Sequence, residues 1–187
     1  EKTKLFDSHV QKIVSSIDLK SLYTFGIKPD SPSSVFGYIK KNKQKKMRND
    51  IFKISCFSEK PKLELAKKYL KSQDWYWNSG IFIFSAKALF AEIKVHLPKL
   101  LEKLTNIYNE RDLDTFFEVF NSKKFLSLKT DSFDRTIMEK TENGYVKPID
   151  IGWTDVGNWK SFSKVMGKDK NNNTLNRKNI LVNKVNN

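Results

Sequence analysis

The sequence predicts an α/β fold, a mixed sheet with flanking helices, on three observations. Runs rich in β-branched and aromatic residues alternate along the chain with segments whose apolar positions recur at helical spacing. In one stretch, Trp75 to Ser85, a crowded polar turn feeds into Ile81-Phe82-Ile83-Phe84, four residues suited to a strand buried on both faces, and Ser85 is placed to cap a following helix. With 187 residues, 39% of them apolar and 14 of them Phe, the chain can bury the core of one domain, or of one domain plus an appended piece.

Leu5, Phe6, Val10, Ile13, Val14 and Ile17 follow a helical period and predict a first helix. Leu22 to Ile27 reads as a strand that stops at Lys28-Pro29-Asp30, and Ser31 to Ser34 continues as loop. Phe36 to Ile39 and Ile51 to Phe57 read as two strands flanking the lysine-rich run Lys40 to Arg48, itself read as a solvated hairpin loop. Pro61, at a first helical position, opens a helix with Leu63, Ala66, Tyr69 and Leu70 on one side. Apolar residues from Ala86 to Tyr108 recur at helical spacing, and Pro98 should divide them into two helices. Leu113 to Phe120 reads as a short helix buried through Phe116, Phe117 and Phe120. A capping Ser132 opens a helix of two to three turns to Lys140, and Tyr145 to Ile149 is a strand. A polar loop with two glycines, Asp150 to Asn158, leads to a helix over Trp159 to Val165. Beyond Gly167 an Asn- and Lys-rich linker precedes one more strand, Asn179 to Val185.

No window reaches the roughly 18 consecutive apolar residues that span a bilayer. Glu1-Lys2-Thr3-Lys4 does not lead into a secretory h-region, so a cytoplasmic location and no membrane partner are expected. A single cysteine, Cys56, excludes an internal disulfide and a cysteine-rich metal cluster; it is expected as a small core or strand residue. The formal net charge of +14 is compatible with phosphorylated substrates as much as with nucleic acid. Its lysines are spread along the chain, and no aromatics interleave the one dense run, so no nucleic-acid partner is expected. The chain opens on Glu1 without an initiator Met, as a processed chain or a piece of a longer one would.

Few residues are equipped for chemistry. His9 and His96 are far apart in sequence, each on a helical segment, and are expected to be structural. No Gly-x-Gly-x-x-Gly or phosphate-loop lysine occurs. Three constellations remain, all at strand ends or loops. Glu59-Lys60 follows a strand, where a Lys can hold a phosphate and a Glu can accept from hydroxyls. Asn78 and Gly80 offer an amide and an uncluttered backbone beside a strand end, where ligands gather in open α/β sheets. By itself that stretch equally fits an ordinary turn before a buried strand. Asp155, before Val156-Gly157, could place a carboxylate oxygen on Mg²⁺.

Six blocks in order resemble the mannose-1-phosphate guanylyltransferases of the sugar-phosphate nucleotidyltransferase superfamily. They are Thr24 to Pro29, Gly37-Tyr38-Ile39, Phe57 to Pro61, Trp77 to Phe82, Ser132-Phe133-Asp134 with Met138 to Thr141, and Gly152 to Trp159. Together they cover roughly residues 20 to 165. The resemblance implies a partial Rossmann-like, GT-A-like nucleotidyltransferase domain over residues 1–166, with 167–187 as a linker and the start of a truncated, β-helix-like tail. It implies that the family's glycine-rich nucleotide-binding loop, its second metal-binding Asp and its base readout belong upstream of residue 1, so that the piece alone would be inactive; Asp7-Ser8-His9 is not that motif. It implies a parent that makes GDP-mannose and pyrophosphate from GTP and mannose 1-phosphate with Mg²⁺, compatible with a homo-oligomer. Carried over by position, Lys60 would hold the sugar phosphate, Glu59 and Asn78 the sugar hydroxyls, Gly80 would let the backbone come close, Glu139 would shape the sugar side, and Asp155 would be a metal ligand. Val35 and Arg135 depart from the family's usual Gly and aromatic. They keep two alternatives open, a non-catalytic sugar-nucleotide-binding or regulatory homologue and a nucleotidyltransferase for another sugar 1-phosphate.

Overall fold

Leu22–Ile27 (β1) contains no side chain with appreciable exposure, as expected for an apolar strand covered on both faces. In the computed structural model, which describes residues 2–113, 118–119, 122–129, 131–157 and 159–166, the remaining strands are hung on it. The elements in order are α1 (Lys2–Val14), β1, β2 (Tyr38–Lys46), a 3₁₀ turn (Arg48–Asp50), β3 (Phe52–Ser58), α2 (Leu63–Ser72), β4 (Trp75–Phe84), α3 (Ala86–His96) and α4 (Pro98–Asn109). There follow β5 (Asp112–Leu113), β6 (Glu118–Val119), α5 (Ser122–Leu126), a π-turn (Asp134–Met138), β7 (Gly144–Ile149) and α6 (Trp159–Val165).

β1 pairs in parallel with β7, from Leu22↔Gly144 to Ile27↔Ile149, and antiparallel with β4 on its other side. β4 pairs with β2 and β2 with β3; β3 returns to β7 through Phe52↔Val146 and Lys53↔Tyr145. The order β1-β4-β2-β3-β7 therefore closes on itself, and the fold is α/β, a mixed sheet with flanking helices. Leu22, Ile39, Phe57, Ala88, Ile137, Met138 and Val146 form a buried cluster joining sheet, α3 and π-turn. α1 is brought to β1 by Phe6, whose ring lies 5.6 Å from that of Phe25.

The chain divides into two compact units, residues 1–151 and 152–187, each described by itself. The second contributes 152–157 and α6, where the Trp159 and Phe162 rings meet edge to face at 5.9 Å. The expected tail over 167–187, with its strand, lies outside the described residues. Among the described residues no helix is long and apolar enough to cross a membrane.

Several local expectations change. The lysine run is strand, not loop. β2 continues through Lys46 because its backbone pairs with β3 at Lys40↔Cys56, Lys41↔Ile54 and Lys46↔Phe52, and the Lys41 ammonium lies over the Phe52 and Tyr76 rings. Aromatic faces thus take up lysines that would otherwise argue against a strand. Asn78-Ser79-Gly80 is no turn before a strand but the middle of β4, and Ile81 to Phe84 are half-buried where burial on both faces was expected. Residues 113–120 were expected to be helical. Asp112↔Val119 and Leu113↔Glu118 instead pair as short strands, and the phenylalanines expected to bury that helix, at 116, 117 and 120, lie outside the described residues. α2 starts at Leu63, two residues after Pro61, and the helix expected from Ser132 is a single π-turn. Cys56 sits in β3 but is exposed. The break at Pro98, the Ser85 cap, whose hydroxyl accepts from the Ala88 N–H at 3.0 Å, and the bounds of β1 and α6 are as expected.

Between its two neighbours β1 has no room at Gly26, where an added Cβ would come within 2.8 Å of Val146 Cγ2 and 2.9 Å of Tyr76 Cβ. Gly26→Ala should therefore cost about 1–3 kcal/mol of stability through overpacking, read as a lower midpoint in urea denaturation; an unchanged midpoint would mean that β1 is held less tightly.

Candidate functional site

Five segments of the first unit bring polar groups to one place: Thr24 of β1, Gly37 ahead of β2, Glu59 and Lys60 after β3, Asn78 and Gly80 in β4, and Asp134 and Glu139 of the π-turn and its end. An irregularity in β4 creates it. The register runs Thr24↔Phe82 and then Gly26↔Asn78, so β4 carries two extra residues, and Gly80 adopts φ 73°. Bulged residues lose ladder partners, and side chains make up the loss here. Asn78 Oδ1 accepts from the Gly80 N–H at 3.2 Å, and Ser79 Oγ from the Ile81 N–H at 3.2 Å.

Asn78 is the hub. Its backbone N–H donates to the Gly37 carbonyl at 2.8 Å. The Thr24 hydroxyl lies 3.0 Å from Asn78 Oδ1 and 2.9 Å from the Ile81 carbonyl, and the Asn78 Nδ2 donates to Asp134 Oδ1 at 2.8 Å. Glu59 is close by. A Cβ on Gly37 would come 2.6 Å from Glu59 Oε2 and 3.3 Å from Asn78 Cβ, so only glycine leaves Glu59 where it is.

Lys60, with φ 46°, holds a left-handed conformation that costs a non-glycine residue about 1–2 kcal/mol. Glu139 Oε1 secures this corner by accepting from the Glu59 N–H at 2.7 Å. The Lys60 ammonium lies 3.4 Å from Glu59 Oε1, with its side chain 56% exposed against 8% for Glu59, so a cation projects over a buried carboxylate. Burial pushes the Glu59 carboxyl up, the Asp134 charge adds to this, and Lys60 opposes it. Burial likewise raises Asp134, with the Asn78 hydrogen bond and Lys60 acting against it.

The site thus brings together Glu59, Lys60, Asn78, Gly80 and Glu139, all singled out in the sequence. Asp155 belongs to the second unit, where it is exposed; its Oδ2 would lie 3.1 Å from a Cβ on Gly157. His96 Nε2 lies 3.2 Å from Glu92 Oε2, and Glu92 Oε1 also accepts from Asn143 Nδ2 at 2.8 Å. His9 Nδ1 is buried without a partner, and burial, then Lys147 and Lys12, lower its pKa. Among the described residues no three His, Cys, Asp or Glu side chains cluster as a metal site.

A family profile described as nucleotidyl transferase matches residues 4–172. The chain belongs to the nucleotidyl transferase family. Among curated relatives of this nucleotidyl transferase, the mannose-1-phosphate guanylyltransferase of Escherichia coli K12 is 35% identical over 162 residues, 86% of this chain and 34% of that protein. The mannose-1-phosphate guanylyltransferase ManC of Salmonella typhimurium is 36% identical over 162 residues, 86% of the chain and 34% of that protein. The chain spans about a third of the length of these relatives. A Helicobacter pylori structure described as mannose-6-phosphate isomerase superposes with a TM-score of 0.71 at 26% identity, covering 83% of this chain and 60% of that one. A Thermus thermophilus structure described as a mannose-1-phosphate geranyltransferase superposes with a TM-score of 0.72 at 23% identity, over 89% of this chain and 46% of that one, and shows the shared fold.

Residue-by-residue reading of the nucleotidyl transferase sequence missed Thr24, Gly37 and Asp134 as members of the site. Asp134 stood in a motif without a role, and nothing local marks a Thr inside an apolar strand as polar machinery. Of the two departures from the family, Val35 is exposed, and Arg135 Nη1 lies 3.4 Å from Asp131 Oδ2.

The raised carboxyls carry a sign. Between the carboxylate's ordinary value, about 4.3 for Glu, and its raised native value, the native state binds more protons than the unfolded one, so stability falls as pH rises through that window. Glu59→Gln removes the titrating group. Its denaturation midpoint relative to wild type should rise as pH climbs above ~4 through the raised native value and level off beyond it, because Glu59 is then ionised in both states of the wild type. A difference independent of pH would show that Glu59 does not carry this cost.

Proposed function

We propose that the protein containing this chain is a mannose-1-phosphate guanylyltransferase, forming GDP-mannose and pyrophosphate from GTP and mannose 1-phosphate in the cytoplasm, with this chain supplying the sugar-phosphate side. The observation that carries the proposal is the convergence of Glu59, Lys60 and Asn78, with a buried carboxylate and an exposed ammonium within one contact of each other. Relatives named for this activity at 35% and 36% identity support it.

In such a reaction a sugar 1-phosphate oxygen attacks the α-phosphate and pyrophosphate leaves in line, so the protein's work is positioning and charge compensation. Lys60 would offset the sugar phosphate's negative charge. Glu59 would accept a hydroxyl hydrogen, and Asn78 would donate to a neighbouring hydroxyl oxygen. Gly80 and the bulge hold Asn78 in place, and Glu139 holds the backbone from which Glu59 and Lys60 project. Asp155, one exposed carboxylate, suits Mg²⁺, which takes one or two protein carboxylates and leaves its other positions to water and phosphate. Mg²⁺ when bound neutralises phosphate charge.

The test uses the longest natural form of the protein, assayed for pyrophosphate release with GTP, Mg²⁺ and a panel of sugar 1-phosphates; no transfer to any of them would overturn the proposal. Lys60→Ala should raise KM for the sugar 1-phosphate roughly 10- to 150-fold, the worth of a charge-assisted hydrogen bond of about 1.5–3 kcal/mol, with KM for GTP little changed. Asp155→Asn should abolish turnover without moving the denaturation midpoint. An unchanged kcat would remove Asp155 from the metal.

A further inference from the structure

We propose that Asp134 is a positioning residue whose carboxylate locks the Asn78 side-chain amide, so that Asn78 presents one N–H donor to a ligand. The proposal deepens the sugar-phosphate function above and rests on it for its substrate. An Asn side chain has two N–H donors and one oxygen with two acceptor positions. Gly80 decides which end of the amide faces which way, because a backbone N–H can only donate and it points at Oδ1 at 3.2 Å. The Thr24 hydroxyl, 3.0 Å from the same oxygen and 2.9 Å from the Ile81 carbonyl, has one hydrogen for these two acceptors and crowds this end of the amide. At the other end Asp134 Oδ1 takes one Nδ2 hydrogen at 2.8 Å. The Gly80 N–H from β4 and the Asp134 carboxylate from the π-turn thus agree on one orientation and leave a single N–H on Nδ2.

That remainder defines the ligand's chemistry. The group meeting Asn78 must present a lone pair, and the group meeting Glu59, a carboxylate when ionised, must present a hydrogen. Two neighbouring hydroxyls of a sugar satisfy both at once, one accepting and one donating. Asp134 itself is half-buried in contact with Asn78 and acts through it.

Hydrogen exchange of the Asn78 side-chain protons in the chain tests the lock without any substrate. One of the two should be protected in the wild type, remain protected in Asp134→Asn, whose amide oxygen still accepts, and lose protection in Asp134→Ala. Protection unchanged in Asp134→Ala would overturn the proposal whether or not the protein transfers nucleotides. In the active enzyme, Asp134→Ala should raise KM for the sugar 1-phosphate about 10-fold or more, leave KM for GTP unchanged, and be rescued by Asp134→Asn. Combined with Asn78→Ala, it should add less than about 2-fold to the loss caused by Asn78→Ala alone. Additive losses in the double variant would show that Asp134 acts independently of Asn78 and sink the idea. Absence of any transfer by the wild type would count against the proposed function and leave the exchange result to decide on the lock.

Discussion

Everything at the site depends on the two extra residues that β4 carries opposite Thr24 to Gly26. A regular strand would pair each of these amides with β1 and leave the Asn78 amide without a backbone partner of its own strand. The bulge instead turns the Gly80 N–H onto Asn78's own oxygen, and the positive φ it requires is open to glycine without penalty. A side-chain amide is thereby built into a sheet, where its neighbours over-determine it, and not into a loop.

Charge follows the same logic on a larger scale. The chain carries 35 Lys and Arg against 21 Asp and Glu, yet the groups gathered around Asn78 are mostly acids. Two of these, Glu59 and Asp134, hold their protons more tightly than usual, which is the cost of keeping carboxylates in a half-dry place near each other. A buried carboxylate with one exposed ammonium in reach is poorly satisfied alone and better satisfied when hydroxyl donors arrive. Elsewhere lysines are accommodated structurally, as where Lys41 lies over the Phe52 and Tyr76 rings.

The sequence made legible whatever is local. Ser85 reads as a cap because the rule needs only its immediate neighbours, and β1 reads as a strand because all its residues share one environment. Glu59, Lys60, Asn78 and Gly80 stand out by residue type beside strand ends, and Glu139 by its position in a family block. Partnerships across the sheet were not legible: Thr24 and Asn78 are 54 positions apart, and Asn78 and Asp134 are 56. The lysine run misled for the same reason, since composition argued for solvent while the pairing partner, β3, and the rings that receive Lys41 lie outside any local window. The pairing of Asp112-Leu113 with Glu118-Val119 lay equally beyond reach, because it rests on two cross-strand partnerships and not on a local pattern.

Strain separates structural from functional irregularity. Among the described residues, four without glycine's freedom have positive φ: Asn49, Asp50, Lys60 and Gln73. Gln73 ends α2, its N–H returning to the Leu70 carbonyl at 3.3 Å, a common helix stop. Asn49 uses its turn to donate to the Lys12 carbonyl and Ser16 hydroxyl, fastening α1 to the sheet, and Asp50 continues the same turn and pairs with Lys46. Lys60 has no such return. Its side chain is largely exposed, its contact is the neighbouring Glu59, and the backbone at that corner needs the Glu139 carboxylate to hold it. A conformation that costs stability, is propped from a separate segment, and yields only an ammonium raised over a buried carboxylate is the kind of strain that gathers at ligand clamps. The same test passes over Asn49 and Gln73, so it discriminates within one chain, and it singles out the residue whose charge a sugar phosphate would answer.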